Sequence, residues 1–156
     1  MQRIDSGTRI RHQIRQWCLL CLFLLLVPAQ VWPQENTDSL VVIAAPEQTP
    51  NAISKNTLRV IFGMRLRNWP DDGPVRVFVL NDAQPTHAAF AKQILNIYPH
   101  QLRQAWDRLV FSGTGQAPTE VGSEKEMLEK VATTPGAIGY LQRSKVNDSV
   151  RILQIQ

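Results

Sequence analysis

The amino-acid sequence predicts an α/β domain with a mixed sheet flanked by helices. Two observations carry that prediction. Short apolar runs of strand length stand at residues 40–44, 75–80, 137–141 and 150–155. Between them, apolar residues recur at helical spacing behind recognisable caps. The order is β-α-β-α-α-α-β-β, and 156 residues suit one domain.

Residues 40–44, Leu-Val-Val-Ile-Ala, form a continuous apolar run, the pattern of a strand buried on both faces. Pro46 and Pro50 bracket a loop. Ser54 can cap a helix whose apolar positions are Leu58, Ile61 and Phe62, and Gly63 is placed to end it. Asn68 to Pro74 is a turn-rich connection. Val75, Val77 and Val79 alternate along the next strand. A second helix opens near Thr86 and presents Phe90, Ile94 and Leu95 to the core. Pro99 fits the first position of a third helix, which carries Leu102, Trp106 and Leu109 on one face. Residues 112–118 read as a glycine-containing loop. Ser123 with Glu126 is a capping-box signature for a fourth helix through Met127, Leu128 and Val131, and Thr134-Pro-Gly136 stops it. Two strands close the chain.

Charge and cysteine placement bear on function. Lys plus Arg is 17 against 13 acidic residues, a formal charge of +4. The first 29 residues hold four arginines (Arg3, Arg9, Arg11 and Arg15) against Asp5 alone, so the remainder is nearly neutral. That distribution argues against a nucleic-acid binder. The basic start is followed by the apolar run 17–27 and the exit Val27-Pro-Ala29. This is the pattern of a cleaved secretory signal over residues 1–29, with a flexible lead-in over 30–39 and the domain over 40–156. Eleven apolar residues span ~16 Å as a helix, about half of a bilayer core. Both cysteines, Cys18 and Cys21, lie inside that run, so the mature chain has none. The expected compartment is the periplasm.

Enzyme signatures are thin. His12, His87 and His100 are scattered, and no His or carboxylate cluster has metal-ligand spacing. The reading is a non-enzymatic protein with no metal and no cofactor. Ser112-Gly-Thr-Gly115 resembles a phosphate cradle but lacks the Lys-Ser/Thr ending of a P-loop, and reads as a turn. Arg59, Arg65, Arg67 and Arg76 read as a solvated face, with a basic patch as the alternative. Trp69 and Trp106 read as packing residues. The corner 81–86 leaves a strand and enters a helix whose first N–H groups lack intrahelical partners. Such a corner binds anions, although Asp82 or Thr86 can occupy those donors as caps. His87 reads by itself as a surface or capping residue. The candidate ligand-binding residues are Asp82, Thr86 and His87.

Four blocks then stand in a distinctive order. They are Ile53-Ser-Lys-Asn-Thr-Leu-Arg-Val-Ile-Phe-Gly63, Asn68-Trp-Pro70, Ala105-Trp-Asp-Arg-Leu-Val-Phe-Ser-Gly-Thr-Gly115 and Pro135-Gly-Ala-Ile-Gly-Tyr140. Together with Pro118 they resemble the phosphate-binding-protein family of ABC transporters, and within it the small secreted single-lobe relatives. The resemblance runs from about residue 40 to 155. It implies a single lobe of the type 2 periplasmic-binding-protein fold. It also implies a ligand of phosphate type, phosphate or another small anion. The family's anion motif, an arginine followed by Asp-Gly-Ser-Gly-Thr, falls on residues 79–86. Asp82 and Thr86 match it; Val79 or Leu80 stands for the arginine, Ala83 and Pro85 for glycines, and Gln84 for the serine. Pro85 also removes one N–H from the cradle. The expected binding is weak. The implied partners are a membrane transporter or a sensor protein, with a homodimer as a further expectation. The alternative function is a protein–protein adaptor or sensor domain that uses the single-lobe cleft face.

Overall fold

The apolar run at 40–44 forms strand β1, Leu40–Ala44, at the middle of the sheet. Val42, Ile43 and Ala44 have no solvent exposure, because neighbouring strands and helices cover both faces. The computed structural model describes residues 38–47, 51–70 and 73–156. The expected leader 1–29, the lead-in up to residue 37, Pro50 and the two aspartates of the 68–74 connection lie outside the described residues.

Strand β2, Ala52–Ile53, leads into helix α1, Lys55–Phe62. Ser54 caps α1 as its sequence position predicts: its hydroxyl accepts from the Thr57 N–H at 3.0 Å. Leu58, Ile61 and Phe62 face the core. Gly63 ends the helix with φ −77°, and the left-handed residue is Met64 at φ 58°. The need for glycine at 63 is space, since a Cβ there would lie 2.7 Å from the Arg59 carbonyl oxygen. The turn-rich connection contains a small hairpin, β3 (Asn68–Trp69) against β4 (Gly73–Pro74).

Strand β5, Arg76–Leu80, follows, then helix α2, Pro85–Ala89, which widens into a π-helical stretch at Phe90–Leu95. The wide turn closes on Asn96 in the left-handed region, whose N–H bonds to the Ala91 carbonyl. Helix α3, Pro99–Phe111, starts with Pro99 in its first turn and buries Leu102 and Trp106. Leu109 is only half-buried. Strand β6, Thr119–Val121, stands where the sequence shows no strand pattern. Helix α4, Glu124–Thr133, is capped by the Ser123 hydroxyl, which accepts from the Glu126 N–H at 3.1 Å. The reciprocal arm differs from an ordinary capping box: the Glu126 carboxylate accepts from the Gly122 N–H at 2.8 Å. Strands β7 (Ala137–Gln142) and β8 (Arg151–Ile155) complete the chain.

The main sheet has the order β2-β8-β1-β7-β5-β6. β1 is antiparallel to both β7 and β8, while β5 is parallel to β7 and β6. The sheet is therefore mixed, as the sequence predicts. Helix α4 lies directly on β7, where a Cβ at Gly139 would sit 2.5 Å from the Met127 sulfur. On the core side Phe90 stacks on Tyr140 at 3.8 Å between centroids, and Phe62 meets Phe90 edge-on at 4.7 Å. Trp106 is buried and donates from Nε1 to the Phe62 carbonyl at 2.7 Å. Residues 37–156 form one compact unit. Among the described residues no helix is long and apolar enough to cross a membrane.

Candidate functional site

The corner after β5 is built by Asn81. Its side-chain oxygen accepts from the Ala83 N–H and its carbonyl from the Gln84 N–H, both at 2.9 Å. Pro85 has no N–H to offer. The Gln84 carbonyl takes the His87 and Ala88 N–H groups, at 3.0 and 3.2 Å. The backbone donors of this corner are therefore largely engaged within the chain.

The structure brings Asp82, Thr86 and His87 to this one corner, each with an internal partner. Asp82 accepts from Arg103 Nε at 2.8 Å and from Nη2 at 2.9 Å, a bidentate pair. That contact holds the Asp82 carboxyl below its ordinary range, against a smaller opposing effect of burial. Arg103 also reaches Glu120 at 3.3 Å, and Glu120 accepts from the Asn81 amide at 2.7 Å. The guanidinium lies 4.9 Å over the Trp106 ring. The Thr86 hydroxyl donates to the Glu124 carboxylate, which is itself paired with Lys145. Gln84 donates to the Gly122 carbonyl at 2.8 Å.

His87 departs from the surface or capping position expected of it. Its side chain has 0% exposure, between Trp106 and Tyr140. The Tyr140 oxygen accepts from the buried Leu80 N–H at 2.9 Å and lies 2.5 Å from His87 Nδ1. The phenol and Nδ1 share one hydrogen bond, and the second ring nitrogen, Nε2, faces Asp82. Nε2 is 3.3 Å from an Asp82 oxygen, without the geometry of a hydrogen bond. Burial pushes the imidazole below its ordinary pKa; Asp82 and Glu120 pull it up, and Arg103 pushes it down. Burial also raises the Tyr140 phenol.

Arg103 is the member of this corner that the sequence leaves hidden. Val79 and Leu80, where the family motif has its arginine, are buried strand residues. The cation comes instead from α3, 21 residues along the chain from Asp82. Its only sequence signal is a basic residue one position past Leu102, one turn before Trp106. The other candidates separate. In the 112–115 loop, the Gly113 N–H bonds to the Val110 carbonyl and those of Thr114 and Gly115 to the Leu109 carbonyl, so this stretch is a helix-ending turn. Arg59 reaches the Leu95 carbonyl at 2.6 Å, Arg67 the Thr114 carbonyl, and Arg76 lines a different cleft. Among the described residues no group of three or more His, Cys, Asp or Glu side chains could hold a metal ion.

The chain is an α/β lobe built on a mixed sheet, with an ion-paired corner where β5 leads into α2. Residues 32–151 match the PBP superfamily domain, and the chain belongs to that superfamily. Comparison with curated proteins returns no match. Among solved structures, the chain is similar to a Clostridium perfringens protein described as a phosphate ABC transporter substrate-binding protein and solved with bound phosphate. The TM-score is 0.59 at 20% identity, covering 74% of this chain and 44% of that one. An ABC-type phosphate transport receptor from Vibrio cholerae gives 0.59 at 15% identity, with 74% and 45% covered. PstS from Borrelia burgdorferi gives 0.58 at 21% identity, with 76% and 47% covered. At these identities the likeness shows the fold alone. The chain spans less than half the length of each of these proteins.

Proposed function

We propose that the chain is a non-enzymatic binding module of the periplasm, exported by its basic and apolar leader. The corner at Asp82 and Thr86, backed by the buried His87, is its ligand-facing site. The ligand is phosphate or another small anion, held weakly, with Arg103 as the cation. The observation that carries this reading is the bidentate Asp82–Arg103 pair: an incoming anion must compete with a carboxylate already in place. Glu120 and Glu124 add negative charge beside it.

A second reading, a docking lobe for a transporter or sensor protein, draws on the end of α3. Phe111 is 88% exposed and Val110 48% exposed there. Titration calorimetry of the purified chain with inorganic phosphate tests the first reading. Heats that fit a millimolar-range constant are expected, and a submicromolar constant overturns the proposal. Absence of any phosphate heat, together with a periplasmic crosslink that Phe111→Ser abolishes, replaces it with the second. Sedimentation in the same buffers, with and without phosphate, reports whether two copies pair.

A further inference from the structure

At the opposite end of the strands lies a half-open cleft of about 670 Å3. It sits where β5 and β7 begin, whereas the Asp82 corner follows the end of β5. On β5, Val79 and Leu80 lie between Phe78 of the cleft and Asn81 of the corner, about 10 Å along the strand. The volume falls in the range of small-molecule sites, ~300–1,000 Å3. Phe78, Pro74 and Pro135 supply apolar walls, Thr119 a hydroxyl, and Arg76 and Glu47 opposite charges.

Several observations point to a ligand site. Among the described residues no carboxylate lies within ion-pair distance of Arg76, although its side chain lines the cleft and is exposed. The Arg76 backbone is nevertheless fixed. Its N–H bonds to the Gly136 carbonyl at 3.0 Å, and the Trp69 indole donates to that same carbonyl at 3.0 Å. Gly136 holds φ +71°, and a Cβ there would lie 2.2 Å from the Pro74 carbonyl oxygen, so the two proline walls meet without slack. The cleft thus presents a cation on a rigid, mainly apolar frame. The charge of its ligand is also bounded. Glu47 and the carbonyl end of α4 at Thr133 both lie on the rim and oppose a second negative charge.

We infer that this cleft binds a small amphipathic monoanion, with an apolar chain or ring against Phe78, Pro74 and Pro135 and one carboxylate on Arg76. This site is separate from the Asp82 corner, and inorganic phosphate, partly dianionic at neutral pH and with no apolar part, suits it poorly.

An amide-resolved NMR titration of the labelled chain with octanoate tests the inference. Saturable shifts are expected at the amides of Phe78, Thr119 and Gly136, and inorganic phosphate should not reproduce them. Arg76→Gln should weaken octanoate binding about tenfold, the scale of one charge-assisted contact. Glu47→Gln should tighten it about twofold, the scale of one rim charge in water. The spectrum itself reports whether each variant is folded, and Glu47→Gln carries the test should Arg76→Gln unfold. Absent or non-saturating shifts at those amides, or affinities unchanged in a folded variant, overturn the site. Either failure leaves the phosphate reading untouched, because that reading is followed at Asn81 to Gln84.

Discussion

Tyr140 satisfies two buried groups with a single hydroxyl, accepting from the Leu80 N–H and sharing a hydrogen bond with His87 Nδ1. Tyr140→Phe keeps the ring stacked on Phe90 but leaves both groups without a partner. An unsatisfied buried polar group costs about 1–3 kcal/mol, so the two together give an expected loss of roughly 2–6 kcal/mol in urea unfolding. A loss below that of an ordinary surface substitution would contradict the hydrogen-bond assignment. The same residues make the protein acid-sensitive. The folded-state pKa of His87 lies below its ordinary 6.5, mainly because of burial. Between pH 6.5 and that lower value the unfolded chain binds more protons, so stability falls as pH falls through the window. Asp82, lowered mainly by Arg103, adds a loss of the same sign below about pH 3.8. The urea midpoint should therefore be lower at pH 5 than at pH 7, and His87→Gln should shrink that difference. An unchanged difference in the variant would remove His87 as its source.

Elements meet where glycine lets them. The β3–β4 hairpin docks on the start of β7 through Gly136, whose carbonyl takes both the Trp69 indole and the Arg76 N–H. Gly136→Ala meets two penalties, a left-handed backbone and a Cβ 2.2 Å from the Pro74 oxygen. The backbone penalty alone is about 1–2 kcal/mol, so thermal unfolding should move down by several degrees. Trp69 should become more exposed as the hairpin lifts, and quenching of its fluorescence by iodide reads that directly. A variant with wild-type stability and quenching would show that the hairpin yields without cost. The helix ends were legible beforehand for a related reason. Ser54 and Ser123 act on N–H groups three residues away, so their caps are written in adjacent sequence. Strands β2, β3, β4 and β6 escaped because two or three residues cannot display a period.

At the scale of the whole molecule, the chain is a lobe of the PBP superfamily with less than half the length of its structural neighbours. Its strand-to-helix corner is closed by internal ion pairs, Arg103 with Asp82 and with Glu120. The sequence by itself determined the α/β class, the main strands and helices, and their caps. Each of those is a short-range pattern: apolar spacing along a face, or a side chain bonding a nearby N–H. It also placed Asp82, Thr86 and His87 together, since six consecutive residues around one helix start cannot separate. Only the tertiary structure decided what surrounds them. Arg103 meets Asp82 across 21 residues, Tyr140 meets His87 across 53, and Glu124 meets Thr86 across 38. It also decided that β1 lies between β7 and β8. Such pairings depend on loop closure and on how the helices pack over the sheet, and no local period encodes them.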